Sequence, residues 1–276
     1  MAVIQPRSVS NNIENKLDLQ VFADHGYSGN DVQVILLNHM PEQHEWKTLI
    51  RLSADTDSHG NPQTLCFIVL QDEPVCRWYQ GGREINLCGS ALIAAAYSLH
   101  HHASYTLPIK IHGPSQIFTL QDANGEYGFS LPRFTLFDEP LPAAAKRWLN
   151  KTPVNCMSSG DPQGYWVVEF EESVTELQPQ LQTICETTQR AIIATSLQAP
   201  SGFDYELRYF APQYGIDEDI ATGSANAVLA CYWQQWLKQD EFQALQRSGL
   251  ANGKGGSIRT RLDPQTVSIF GKVIAN

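Results

Sequence analysis

The sequence has little of what binds nucleic acid, crosses a bilayer or holds a metal. Lys and Arg number 19 against 29 Asp and Glu, a formal charge of −10. The overall field therefore repels nucleic acid and anionic membranes. No apolar run approaches the ~20 residues that span a bilayer. The opening MAVIQPRSVSNNIENK lacks a basic start followed by an apolar stretch, so no secretory signal is expected, and residues 1–16 read as a polar extension. The six cysteines form no CxxC pair and show no metal-ligand spacing. Free thiols in a reducing, cytoplasmic setting are the consequence. There is neither a GxGxxG fingerprint nor a P-loop lysine, which argues against a nucleotide-phosphate site. His100, His101 and His102 are adjacent on one helix end and face different ways. They suit the negative end of a helix dipole better than a metal, and no metal site is expected.

What is present is a chain of 276 residues, enough for one large domain or two ordinary ones. β-Branched and aromatic runs predict strands at LDLQVFA (17–23), VQVILL (32–37), TLCFIVL (64–70), YWVVEF (165–170), AIIATSL (191–197) and ELRYFA (206–211), with Gly/Pro clusters between them. Amphipathic patterns predict surface helices over 41–56, 172–189 (with Pro179 inside it) and 240–249. ALIAAAYSL (91–99) and ANAVLACYWQQWL (225–237) begin apolar on all sides, and a helix without a polar face is a buried one. Trp233 and Trp236 are expected in core or domain-interface packing.

Short matches recur in one order along the two halves. RWY at 77–79 is echoed by RYF at 208–210 and SGN at 28–30 by SGD at 159–161, at the same offset; GSA at 89–91 returns at 223–225, three residues further on. This suggests a duplicated unit, with lobes at 17–132 and 133–264 and a last strand near 265–276 completing the first. Each copy places small residues where a buried helix begins: Gly89-Ser90 and Thr222-Gly223-Ser224. A helix N-terminus carries unpaired N–H groups and a partial positive charge, and small side chains leave them open to a ligand. Two copies about a pseudo-twofold axis would point both helix starts at one seam, a cleft suited to a small carboxylate.

RYFAPQYGIDEDIATGSANAVLACYW (208–233) resembles the second-half signature of the phenazine-biosynthesis PhzF-like family of the diaminopimelate-epimerase superfamily. Asp219, Ala221, Thr222, Gly223, Ser224 and Ala225 match its Asp-Pro-Ala-Thr-Gly-Ser-Ala pattern, with Ile220 in place of proline. SGNDVQVIL (28–36) and REINLCGSALIAAA (83–96) resemble first-half segments, and LQRSGLANGKGGSIRTRL (245–262) faintly resembles the closing one. The resemblance runs from about Leu17 to the end. It implies an α+β fold of two pseudo-symmetric domains, each a β-barrel-like sheet wrapped around a central apolar helix. It further implies cofactor-independent isomerisation or epimerisation of a small carboxylate, and in many members a homodimer. Asp219 would be catalytic, and Gly29, Asn30, Gly89, Ser90, Thr222, Gly223 and Ser224 would line the substrate.

Two positions depart from the pattern. Gln63 stands where the resemblance implies the catalytic glutamate, and Ser90 where it implies a histidine. Glutamine keeps the shape but holds no exchangeable acid proton, which general acid–base catalysis requires. Asp57 or His59 in the preceding loop is a candidate replacement. Cys88 sits at the first helix mouth, where it reads as a small packed residue. Glu84 can pair with Arg77 or Arg83 and receives no role. Two expectations follow: an isomerase with Asp219 as its surviving proton group, or a member that has lost the chemistry and binds a small anion.

Overall fold

The computed structural model describes residues 9–53, 63–140, 142–249 and 254–275. It is a sheet-dominated α+β structure. The first stretch of chain holds β1 (Ile13–Val21), β2 (Asn30–Leu37), α1 (Gln43–Ser53), β3 (Thr64–Val69), β4 (Val75–Gln80), β5 (Arg83–Glu84), α2 (Gly89–His102), β6 (Ile109–His112), β7 (Ile117–Ala123) and β8 (Glu126–Pro132). Then come β9 (Asn155–Ser158), β10 (Tyr165–Glu169), α3 (Leu181–Thr187), β11 (Ala191–Ser196), β12 (Tyr205–Ala211), β13 (Ile216–Asp219), α4 (Gly223–Leu237), β14 (Glu241–Arg247), β15 (Gly255–Leu262), β16 (Thr266–Gly271) and β17 (Val273–Ala275). Among the described residues no helix is long and apolar enough to cross a membrane. All six cysteines are free thiols.

The chain forms two compact units. Unit 1 comprises residues 1–21, 31–129 and 273–276; unit 2 comprises 22–30 and 130–272. The sequence did not show that residues 22–30 leave the first unit, nor that β16 belongs to the second. β1 begins at Ile13, so part of the polar opening segment is a strand.

In unit 1, β2 pairs parallel with β3, β3 antiparallel with β4, and β4 parallel with β6. Both faces of β3 are covered, which is why its apolar run is continuous. Leu65, Phe67 and Val69 join Ile35, Leu37 and Tyr79 against Trp46 and Leu49 of α1. The alternate residue Cys66 faces the other way, its thiol donating to the Ala91 carbonyl of α2 at 3.6 Å. α2 is buried from Ser90 through Ala96. It packs on β1, β3, β7 and β17, and its alanines let those strands approach. Each fully buried Leu92, Ile93 or Leu99 contributes roughly 1.5–3 kcal/mol. His100 to His102 end the helix, and His101 Nε2 lies 2.6 Å from the Tyr127 hydroxyl.

In unit 2, β10 pairs parallel with β11, β11 antiparallel with β12, and β12 parallel with β14. One face carries Trp166, Val168, Ile192, Ala194 and Phe210 into a core closed by Trp148 and by Ile184 of α3. α4, buried over Ala225–Trp233, packs on β10, β14, β15 and β16. Trp233 stacks on Tyr205 and donates Nε1–H to Thr195 Oγ1 at 3.1 Å. Trp236, expected to be packed, is 56% exposed.

Two helix expectations are corrected. Residues 240–249 hold strand β14, flanked by β12 and β15, in place of a helix. The 172–189 segment is a single 3-10 turn at Val174–Glu176 followed by α3, which starts only at Leu181. Pro179 interrupts the helix, and the amides of Gln178 and Gln180 bond the Leu149 and Trp148 carbonyls of a neighbouring segment.

Candidate active site

The second-half motif folds as a strand end, a three-residue bend and a helix start. Asp219 closes β13, opposite Tyr209 of β12. Thr222 is the N-cap residue of α4 in extended geometry, but its hydroxyl caps nothing. It turns back and donates to Asp219 Oδ2 at 2.6 Å. No described residue accepts a hydrogen bond from the amides of Gly223, Ser224 or Ala225. The helix start thus has three N–H groups with no acceptor among the described residues and the dipole behind them; Gly223 and Ala225 are buried and Ser224 is half-buried. Ser224 Oγ accepts from the Tyr165 hydroxyl at 3.1 Å, which leaves Ser224's own proton free to donate.

Asp219 is half-buried. Burial is the main cause that pushes its carboxyl up to about 6; bonds from Thr222 and from the Ala221 and Ile220 amides pull it down, and Glu218 adds a small push upward. A carboxyl near 6 exchanges protons close to neutral pH, as a general acid or base must. The same shift affects stability. The folded state holds the proton more tightly than the unfolded chain, so Asp219 costs nothing below its ordinary value of 3.8 and destabilises the fold as pH rises through about 6. Asp219→Asn is expected to gain about 1–2 kcal/mol at pH 8 and nothing at pH 3.5, read by urea unfolding at both pH values. The gain is less than a fully buried group would give, because water still reaches the side chain.

The segment 22–30 supports this bend from below. Gly29 has a left-handed φ of 63°, and its N–H donates to Gly255 O at 2.9 Å. Asn30 then directs Nδ2 to the Ala221 carbonyl at 2.7 Å. Gly256 of β15 allows the close approach: a Cβ there would lie 2.7 Å from Ala221 Cβ and 3.0 Å from Phe22 Cβ. Gly256→Ala is expected to displace Ala221 and to cost about 1–3 kcal/mol, measured as a lowered denaturant midpoint. The faint closing motif of the sequence therefore has a packing role at the bend.

Sequence reasoning missed two further residues at this bend. Tyr165, at the start of β10, reaches Ser224, and burial raises its hydroxyl pKa. Gln246, fully buried in β14, contacts both Asp219 and Thr222. The tripeptide matches marked neither, since β10 was read only as a strand and β14 as a helix.

In unit 1, Gly89 and Ser90 open α2, and no described residue accepts from the Gly89, Ser90 or Ala91 amide. Cys88 is the half-buried N-cap, its sulfur 3.4 Å from Ser90 Oγ. Gln63 is half-buried one residue before β3. Asp55, Asp57 and His59 lie outside the described residues. Glu84 pairs with Arg77 at 3.6 Å on the surface. Among the described residues no group of His, Cys, Asp and Glu could hold a metal ion.

A concavity of about 490 Å³ in unit 2 is bordered by Leu177, Pro179, Leu181, Arg208 and Glu218. Four of the five guanidinium N–H groups of Arg208 are committed within the protein: it forks onto Glu218 at 2.7 and 2.9 Å and gives Nη1 to the Leu177 and Val174 carbonyls.

The model of the phenazine biosynthesis-like protein family matches residues 19–275. The chain belongs to this family. An uncharacterised isomerase of Halalkalibacterium halodurans is 28% identical over 216 residues, covering 74% of this chain and 76% of that protein. The human phenazine biosynthesis-like domain-containing protein is 29% identical, covering 86% and 89%. Among solved structures, a PhzF-family protein of Enterococcus faecalis superposes with a TM-score of 0.80 at 21% identity, covering 94% of this chain and 95% of that one. A hydroxyproline epimerase of Agrobacterium vitis, with bound trans-4-hydroxy-L-proline, gives 0.58 at 9% identity, covering 96% and 91%. These likenesses establish the PhzF and epimerase-like fold. Curated relatives in the family carry isomerase names.

Proposed function

We propose that this phenazine biosynthesis-like chain is a cofactor-independent isomerase that moves a carbon-bound proton on a small carboxylate compound. The observation that carries the reading is the placement of Asp219, half-buried and four residues before the first residue of α4, whose first three amides have no acceptor among the described residues; burial pushes the Asp219 carboxyl up to about 6. The amides of Gly223 and Ser224, with the Ser224 hydroxyl, hold the ligand's carboxylate. Asp219 removes or returns the proton, and Thr222 and Tyr165 fix the two acceptors in place. Adding a proton at a carbon other than the one it left completes an isomerisation with no redox partner.

Incubation in heavy water with a panel of small hydroxy-, amino- and unsaturated carboxylates tests this. Deuterium incorporation at carbon, followed by NMR, is the expected result. A second reading is a protein that binds such an anion without turnover, favoured by Gln63 and Ser90 at the positions where acid–base residues are implied. In that case binding occurs without exchange, and Gln63→Glu restores it.

A further inference from the structure

We propose that Gln246 is a positioning residue that sets the proton affinity of Asp219 by fixing which way the Thr222 hydroxyl points. The inference rests on the reading of Asp219 as the proton-handling group, and it concerns how that group is tuned.

The amide of Gln246 can sit in only one orientation. Its Oε1 accepts from the Thr222 backbone N–H at 2.7 Å, a bond that a side-chain NH2 cannot make. Nε2 therefore faces the opposite side, donating to the Asp219 carbonyl at 2.9 Å and to Thr222 Oγ1 at 3.0 Å. A hydroxyl that accepts from an amide N–H on one side has its own proton to give on the other. That proton goes to Asp219 Oδ2, 2.6 Å away. Asn226 closes the network from α4, giving Nδ2 to the Thr222 carbonyl at 3.0 Å. Gln246 is fully buried, so its own amide makes these bonds out of reach of water.

The hydroxyl bond favours the charged carboxylate and offsets part of the desolvation that raises it. Other charged or titratable groups near Asp219 are few. Glu218 is held by Arg208, Arg247 of β14 is paired with Glu206, and Tyr209, Tyr165 and Tyr214 stay protonated as phenols. The Thr222 hydroxyl is thus a side-chain contribution that its neighbour can switch. Glutamate at 246 would offer Thr222 a second acceptor and place a like charge beside Asp219. Methionine would remove the donor while keeping the length.

The test is a carbon-detected NMR titration of the Asp219 carboxyl in the resting protein, which needs no substrate. In Gln246→Glu the midpoint is expected to rise by about one pH unit, and by less in Gln246→Met. Thr222→Val should raise it as well, and Thr222→Ser should restore it. In the unmodified protein, the Gln246 side-chain NH2 signals should titrate with the Asp219 midpoint, a readout that holds even where a variant folds poorly. An Asp219 midpoint unmoved in folded Gln246 variants, or Gln246 signals flat through that titration, would overturn the proposal. Shifted midpoints with no carbon exchange on any carboxylate would leave the positioning role intact and remove the isomerase reading instead.

Discussion

Asp219→Asn is expected to lower carbon-bound proton exchange by about 10²–10⁴-fold while leaving carboxylate binding within a few-fold. Asparagine keeps the size of the side chain and can still accept from Thr222, so the bend and the α4 start should survive. What it removes is a group able to gain and lose a proton near pH 6. The pH profile gives a second check. With Asp219 acting as base, the rate should rise through about pH 6, because only the ionised carboxylate accepts a proton; with it acting as acid, the rate should fall there. The variant should show neither limb. Exchange rates from deuterium incorporation, together with binding by calorimetry, separate the loss of chemistry from a loss of affinity.

Arg208→Met should destabilise unit 2 by about 3–5 kcal/mol. Arg208 and Glu218 are 5% and 6% exposed, and the substitution leaves the carboxylate buried with, among the described residues, the Gly249 amide at 3.0 Å as its remaining donor. It also removes the donor that holds the Val174 and Leu177 carbonyls. Arg208→Lys should recover only part, because an ammonium cannot fork onto a carboxylate. A double replacement of Arg208 and Glu218 by methionine should be less harmful than either single change, since no buried charge is then stranded. Urea midpoints measure all three. Activity should fall as well, because Glu218 anchors β13 one residue before Asp219 and the β12–β13 register is already irregular between Tyr209 and Ala211.

Local geometry was legible in the sequence, and contacts assembled across the chain were not. Asp219, Thr222, Gly223 and Ser224 lie within six residues, so one strand end and one helix start bring them together whatever the rest does. The buried character of α2 and α4 was equally readable, because a helix without a polar face has only one place to go. The Gly29–Asn30 turn was visible as a turn. Its attachment to Ala221, 191 residues away, was not. Tyr165 reaches Ser224 across 59 residues and looked like an ordinary strand residue. β14 was misread for a physical reason. EFQALQR is made of good helix formers, and its pairing with β12 and β15 overrides that preference. That error hid Gln246.

The central claim is that the opening of α4 receives a carboxylate beside Asp219. Amide NMR of the protein titrated with the carboxylates that support exchange tests it most directly. The account predicts large downfield shifts of the Gly223 and Ser224 N–H signals, saturating together, with the same shifts retained in Asp219→Asn. Saturable binding that leaves those two amides unmoved while shifting signals elsewhere would contradict it.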